Sequence, residues 1–341
     1  MEKRGHNIIV SRRQRENTTH LLELYKIKYV SSVDQQSDRH TPYQRLLLNL
    51  KRAKTNYELL KRHDIDVCLG VGSFPVAWAS KFRRSKSVIF TDTEYVNIDP
   101  YFTYPFSDCI ITPEKFSKKP SHSKHIKVKA YKEIASLHPK WYKPNPDIFE
   151  MLNISRDEKF ILLRFSAFDA YHDIGVQGLT YADKRKLVEK LKEFAHIFIS
   201  SESDLPKDLS EYNLSIPIHR IHDVLNYASL FISDAGTMTT EAAILGTPAI
   251  FTHQRSQELS NFIELESDFG LIFNIKDIKR TLNKATQLIN NPNLDQIWKK
   301  KREKLLKEKI DFSAFLMWFV ENYPESHNIM KENPDYQNKF K

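Results

Sequence analysis

Short apolar runs alternate with amphipathic helical stretches along this chain, and that alternation confines it to a parallel α/β architecture. In the first half the runs are Asn7–Ser11, Val67–Gly70, Ser87–Phe90 and Cys109–Thr112. In the second they are Phe160–Phe165, His196–Ser200, Leu230–Ser233, Ala249–Phe251 and Leu271–Phe273. They are apolar at successive positions, so both faces of each strand are predicted to be covered. Between them lie stretches with helical spacing. Over Tyr181–Ala195, for example, Leu187, Val188, Leu191 and Phe194 share one face, and Thr180 stands at the N-cap position. The pattern predicts parallel sheets sandwiched by helices.

One stretch breaks the alternation. "HPKWYKPNPDIFEMLNISRDEK", His138 to Lys159, places three of the chain's 15 prolines between Pro139 and Pro146, which disfavours regular structure. It predicts a linker over 139–158, between an N-terminal domain, 1–138, and a C-terminal domain, 159–320. A polar tail, 321–341, follows. A chain of 341 residues has room for two such cores.

No apolar run approaches the roughly 18 residues needed to span a bilayer, and the opening Met-Glu-Lys-Arg-Gly-His is too polar for a signal peptide's core. The expected location is cytoplasmic, with a peripheral place at the inner membrane surface as a variant. Cys68 and Cys109 each sit inside an apolar run, where a small buried thiol is the simplest expectation. The net charge of +9 suits an anionic ligand or an anionic membrane surface. The basic residues are scattered along polar helix faces such as Lys299 to Lys309, with Glu nearby and no nucleic-acid-binding pattern. Nucleic acid is therefore not an expected partner.

The most informative stretch is "SDAGTMTTEAAILGTPAIF", Ser233 to Phe251. It leaves an apolar strand through Asp234-Ala235-Gly236-Thr237 and enters a helix. In an open parallel sheet, ligands bind at this end of the strands. Gly236 admits a close backbone approach, and Thr237, Thr239 and Thr240 offer hydroxyls. The free N–H groups of a helix's first turn favour an anion. Glu241 follows about one turn in, where a carboxylate accepts two hydrogen bonds from a diol such as a ribose. Diphosphate on the amides and ribose on Glu241 would make a nucleotide site, with Asp234 beside it. The alternative is an ordinary capped helix ended by Gly246 and Pro248.

That stretch resembles the nucleotide-binding signature of GT-B-fold glycosyltransferases and of UDP-N-acetylglucosamine 2-epimerases. "LLRFSAFDAYHDIGVQGLT" (Leu162 to Thr180), "IFTDTE" and "SLHPKWYKPNPD" are similar to an uncharacterised prokaryotic domain-of-unknown-function family of the same fold, over nearly the whole chain. The resemblance implies α/β architecture with two Rossmann-like domains facing each other across a cleft. It also implies a nucleoside diphosphate sugar as substrate, held by Arg164, Asp234, Gly236, Thr237, Thr239, Thr240 and Glu241. The leading expectation is sugar transfer to an unknown acceptor, such as a lipid-linked one at the membrane surface. A 2-epimerase and a non-catalytic nucleotide-sugar-binding protein are the rivals. The epimerase is weakened because the position resembling its first-domain Gly-Asp reads Gly72-Ser73.

Proton chemistry is expected from His172, Asp92 and Asp169. "RFSAFDAYHDIG" holds Arg164, Asp169, His172 and Asp173 in a short loop after a strand, and His172 suits acid or base work near neutral pH. Turn residues making local hydrogen bonds are the alternative. "FTDTEY" places Asp92 and Glu94 at another strand's end, either to deprotonate an acceptor or to cap the next segment. Glu133 and His138 are weaker candidates. "LGVGSFPVA" lacks the third glycine of a dinucleotide loop and is expected to be a tight turn exposing Ser73 and Phe74. No cofactor and no metal are expected. Asp64-Ile65-Asp66 precedes its strand, and His122 and His125 have no third ligand nearby.

The N-terminus carries a last expectation. "MEKRGHNIIVSRR" reads as the tail of a helix, Gly5 at its C′ position, and then a strand. Four residues are too few to nucleate that helix. In the usual 3-2-1-4-5 order a preceding strand would be central. Its absence would leave Asn7–Ser11 and Val67–Gly70 without a shared neighbour. The N-terminal domain is thus expected to lack its first strand and most of its first helix, roughly 20–25 residues by mean element lengths.

Overall fold

Parallel strands organise the chain throughout. The structure is a computed structural model that describes residues 1–12, 16–31, 42–96, 99–166 and 178–341. It divides into two units: Met1–Val128 with Ala314–Lys339, and Lys129–Ser313 with Phe340–Lys341.

Among the described residues the first unit holds six strands: β1 (Val10–Arg12), β2 (Tyr29–Ser31), β3 (Val67–Val71), β4 (Lys86–Phe90), β5 (Cys109–Pro113) and β6 (His125–Val128). They form two separate parallel sheets, β1-β2 and β3-β4-β5-β6. β1 and β3 share no neighbour among the described residues. The inner strand β5 is buried at every position, whereas β3, at the sheet's edge, leaves Leu69 44% and Val71 60% exposed. The first strand also starts late, at Val10 rather than Asn7. Glu2–Arg4 form a single 3-10 turn closed by Gly5 at φ +88°, the left-handed geometry of a helix end.

The second unit holds β7 (Phe160–Phe165), β8 (His196–Ser201), β9 (Leu230–Ser233), β10 (Ala249–Phe251) and β11 (Ile272–Asn274) in the order β11-β10-β9-β7-β8, all parallel. Numbered from its own first strand this is 2-1-3-4-5, a doubly wound sheet whose order reverses between β7 and β9. β9 is buried at all four positions. Helices Tyr181–Leu191, Gly236–Leu245 and Ile278–Ile289 bury Leu187, Val188 and Leu191, then Ala242 to Leu245, then Ala285, Leu288 and Ile289.

Two expectations about the boundaries need correction. Residues 139–158 fold with the second unit. Asp223 accepts from Tyr142 Oη at 2.6 Å and Asn145 N at 2.9 Å, and Trp141 Nε1 donates to Asp311 at 2.9 Å. Prolines exclude regular structure there without excluding order. The polar tail is structured too: Glu325–Glu332 is a helix of the first unit with Ser326 and Met330 buried. Phe315 and Phe319, just before it, are fully buried.

Candidate functional site

The reversal of strand order in the second unit sets the carboxyl ends of β7 and β9 side by side (Arg164 and Ser233 are register partners across the pair). Asp234, Ala235 and the helix Gly236–Leu245 follow β9 directly. Ala235 has no side-chain acceptor to cap the helix. The N–H groups of Gly236, Thr237 and Met238 have no acceptor among the described residues. Thr237 is exposed beside them. Aligned peptide dipoles and unmet donors make such an end attract an anion.

Asp234 stands at this point but faces inward. It is 3% exposed, and its carboxylate accepts from Ser166 N at 2.8 Å and Leu179 N at 3.4 Å. Those residues bracket the loop after β7, so Asp234 ties the loop's two ends to β9. Burial raises its carboxyl pKa, and the hydrogen bonds from Ser166 and Leu179 oppose that shift only in part. Arg164 is likewise engaged within the sheet, donating to Ser200 Oγ and Glu202 Oε1, each at 2.7 Å. As they stand, these two side chains serve the loop and β8.

The threonines divide by face. Thr237 is exposed. Thr239 is fully buried and donates its hydroxyl to Ala235 O at 2.9 Å, and Thr240 is buried with its hydroxyl 3.5 Å from Gly236 O. Helical geometry turns positions two and three residues beyond Thr237 toward the sheet. Gly236 serves packing as well as access. A Cβ there would lie 3.1 Å from Phe262 Cζ, on a ring stacked against Phe251. Glu241 is one turn in and only 15% exposed, with Oε1 3.4 Å from His222 Nε2. His222, on the helix Ile221–Tyr227, went unnoticed in the sequence, as did His253. His253 is buried after β10, stacked on Phe251, and accepts from Arg255 N through Nδ1. Position at a strand's carboxyl end was the signal available for His253.

In the first unit, Asp92 and Glu94 follow β4 as predicted. Asp92 is partly exposed and accepts from Thr93 Oγ1 at 3.3 Å. Glu94 is buried and accepts from Ser117 N at 3.4 Å, so it holds the loop after β5. Phe74 corrects an expectation: it is buried, edge-on to Trp78. One helical turn separates the two rings, which places both on the packed face. Glu133 pairs with Lys132 at 2.6 Å, and burial lowers the pKa of His138. Asp169, His172 and Asp173 lie outside the described residues. Among the described residues no three His, Cys, Asp or Glu side chains gather as a metal site, and no helix is long and apolar enough to cross a membrane.

Solved structures share this fold at low sequence identity. The Staphylococcus aureus MnaA–UDP co-structure superposes with a TM-score of 0.63 at 13% identity, over 92% of this chain and 87% of that one. UDP-GlcNAc 2-epimerase from Neisseria meningitidis, bound to UDP-GlcNAc, gives 0.56 at 15%, over 89% and 93%. The Streptomyces sp. SF2575 glycosyltransferase SsfS6 gives 0.55 at 10%, over 93% and 92%. No curated protein matches the chain. Residues 1–319 match the family described as "Protein of unknown function (DUF354)".

Proposed function

The chain belongs to the DUF354 family and has the GT-B-type fold of nucleotide-sugar epimerases and glycosyltransferases, and from that premise we propose that it binds a nucleoside diphosphate sugar and transfers the sugar to an acceptor. One observation supports the binding half: among the described residues nothing accepts from the N–H groups of Gly236, Thr237 and Met238, beside the point where the sheet's order reverses, with a carboxylate one turn further in. The diphosphate lies on those amides and on the Thr237 hydroxyl, and Glu241 accepts from the ribose. Asp92 and His172 are the groups proposed for proton transfer, and the acceptor includes lipid-linked molecules.

A 2-epimerase is the second reading, favoured by the epimerases among the structural neighbours. Incubation with UDP-N-acetylglucosamine alone separates the two. A transferase without acceptor returns the substrate unchanged, whereas an epimerase releases the 2-epimer or UDP. The binding site has its own test. Glu241→Ala is expected to weaken UDP binding by about 1–3 kcal/mol through hydroxyls left unpaired. Equal affinity in calorimetry would remove the ribose from Glu241.

A further inference from the structure

Glu241 does not stand alone in the fold. Its Oε1 lies 3.4 Å from His222 Nε2, and both side chains are mostly covered, at 15% and 30% exposure. The ring of His222 meets the Tyr142 ring edge-on, with centroids 6.1 Å apart at 77°. Tyr142 is itself fixed, because its hydroxyl donates to Asp223 Oδ1 at 2.6 Å. Asp223 also accepts from Asn145 N at 2.9 Å and, through Oδ2, from Arg220 Nε at 2.6 Å. An ordered turn of the chain before β7 therefore backs the imidazole, and the imidazole stands against the carboxylate.

A glutamate that reads a diol must hold its oxygens in one orientation. A free Glu side chain loses rotamer entropy when it is fixed. A group that fixes it beforehand removes that cost from the binding step. From this the geometry points to His222 as the positioning residue for Glu241: backed by Tyr142, it pre-sets the carboxylate and so makes the site select a sugar with free 2′- and 3′-hydroxyls. The inference rests on the nucleotide site proposed above and adds the residue that sets its discrimination.

The test compares UDP with 2′,3′-dideoxy-UDP by calorimetry on the full chain. Wild type is expected to prefer UDP by tenfold or more. His222→Ala should cut that preference at least threefold with little change in dideoxy-UDP affinity. His222→Gln, which keeps an N–H group to set beside the carboxylate, should keep most of it. A merely structural role would weaken both ligands together and leave the ratio intact, so an unchanged ratio in folded His222→Ala overturns the inference alone. If wild type binds both ligands equally, the ribose assignment of Glu241 fails and His222 falls with it. If it binds neither, the nucleotide site itself is overturned.

Discussion

A hydroxyl near a helix N-terminus belongs to a ligand or to the fold according to its face. Thr237 and Thr239 separate those cases two residues apart. Thr237→Val is expected to weaken UDP binding, since an exposed donor is lost from the phosphate end. Thr239→Val should leave UDP binding unchanged and cost about 0.5–1.5 kcal/mol of stability, the price of one internal hydrogen bond. Calorimetry and urea melts of the two variants decide it. Asp99 offers a second contrast. It is buried and accepts from Thr103 Oγ1 at 2.7 Å, yet burial still raises its carboxyl pKa above the usual 3.8. A raised folded value means that stability is fully present below the unfolded pKa and is lost as pH rises through the folded one. Asp99→Asn keeps an acceptor for Thr103 and cannot charge. Its melting temperature should match wild type near pH 3 and exceed it at pH 7, a trend that thermal melts across that range will follow.

At the level of elements, legibility followed continuity. β5, β7 and β9 each open on three or more successive apolar residues and could be placed to within a residue or so. β6 escaped because His125 and Lys127 interrupt its apolar positions, and β2 because three residues carry no period. The helix Gly236–Leu245 was plain from its ends. Gly246 takes φ +86° there and donates to Ala242 O. Arg302 packs where its side chain would be, 2.7 Å from Cδ to an added Cβ, and donates from Nε to Ile244 O. Gly246→Ala should therefore cost at least about 1–2 kcal/mol for the left-handed backbone, with more from the displaced Arg302, read from chemical denaturation. The site was legible as a loop and less so as side chains. Sequence adjacency could place Asp234, Thr239 and Glu241 together. Only the fold shows Asp234 bonded to residues 68 and 55 positions away, or Glu241 against His222 on another helix.

The whole molecule is threaded so that the first unit is made from both ends of the described chain. Phe319, fully buried, and the helix Glu325–Glu332 belong to it, and Lys331 and Gln337 reach the carbonyls of His125 and Lys127 on β6. Phe319→Ala is expected to cost the first unit about 3–5 kcal/mol. Amide exchange should then accelerate in β3 to β6 and stay unchanged in β7 to β11; uniform acceleration would show that the units do not melt separately. The same threading has a consequence in time. A ribosome releases a chain from its N-terminus at about 5–20 residues per second, and domains usually fold in that order. Here residues 1–128 emerge and wait while Lys129–Ser313, nearly all of the second unit, is translated. Only when Ala314–Lys339 leaves the exit tunnel does the earlier half receive its closing piece, so the half made earlier is closed after the bulk of its successor.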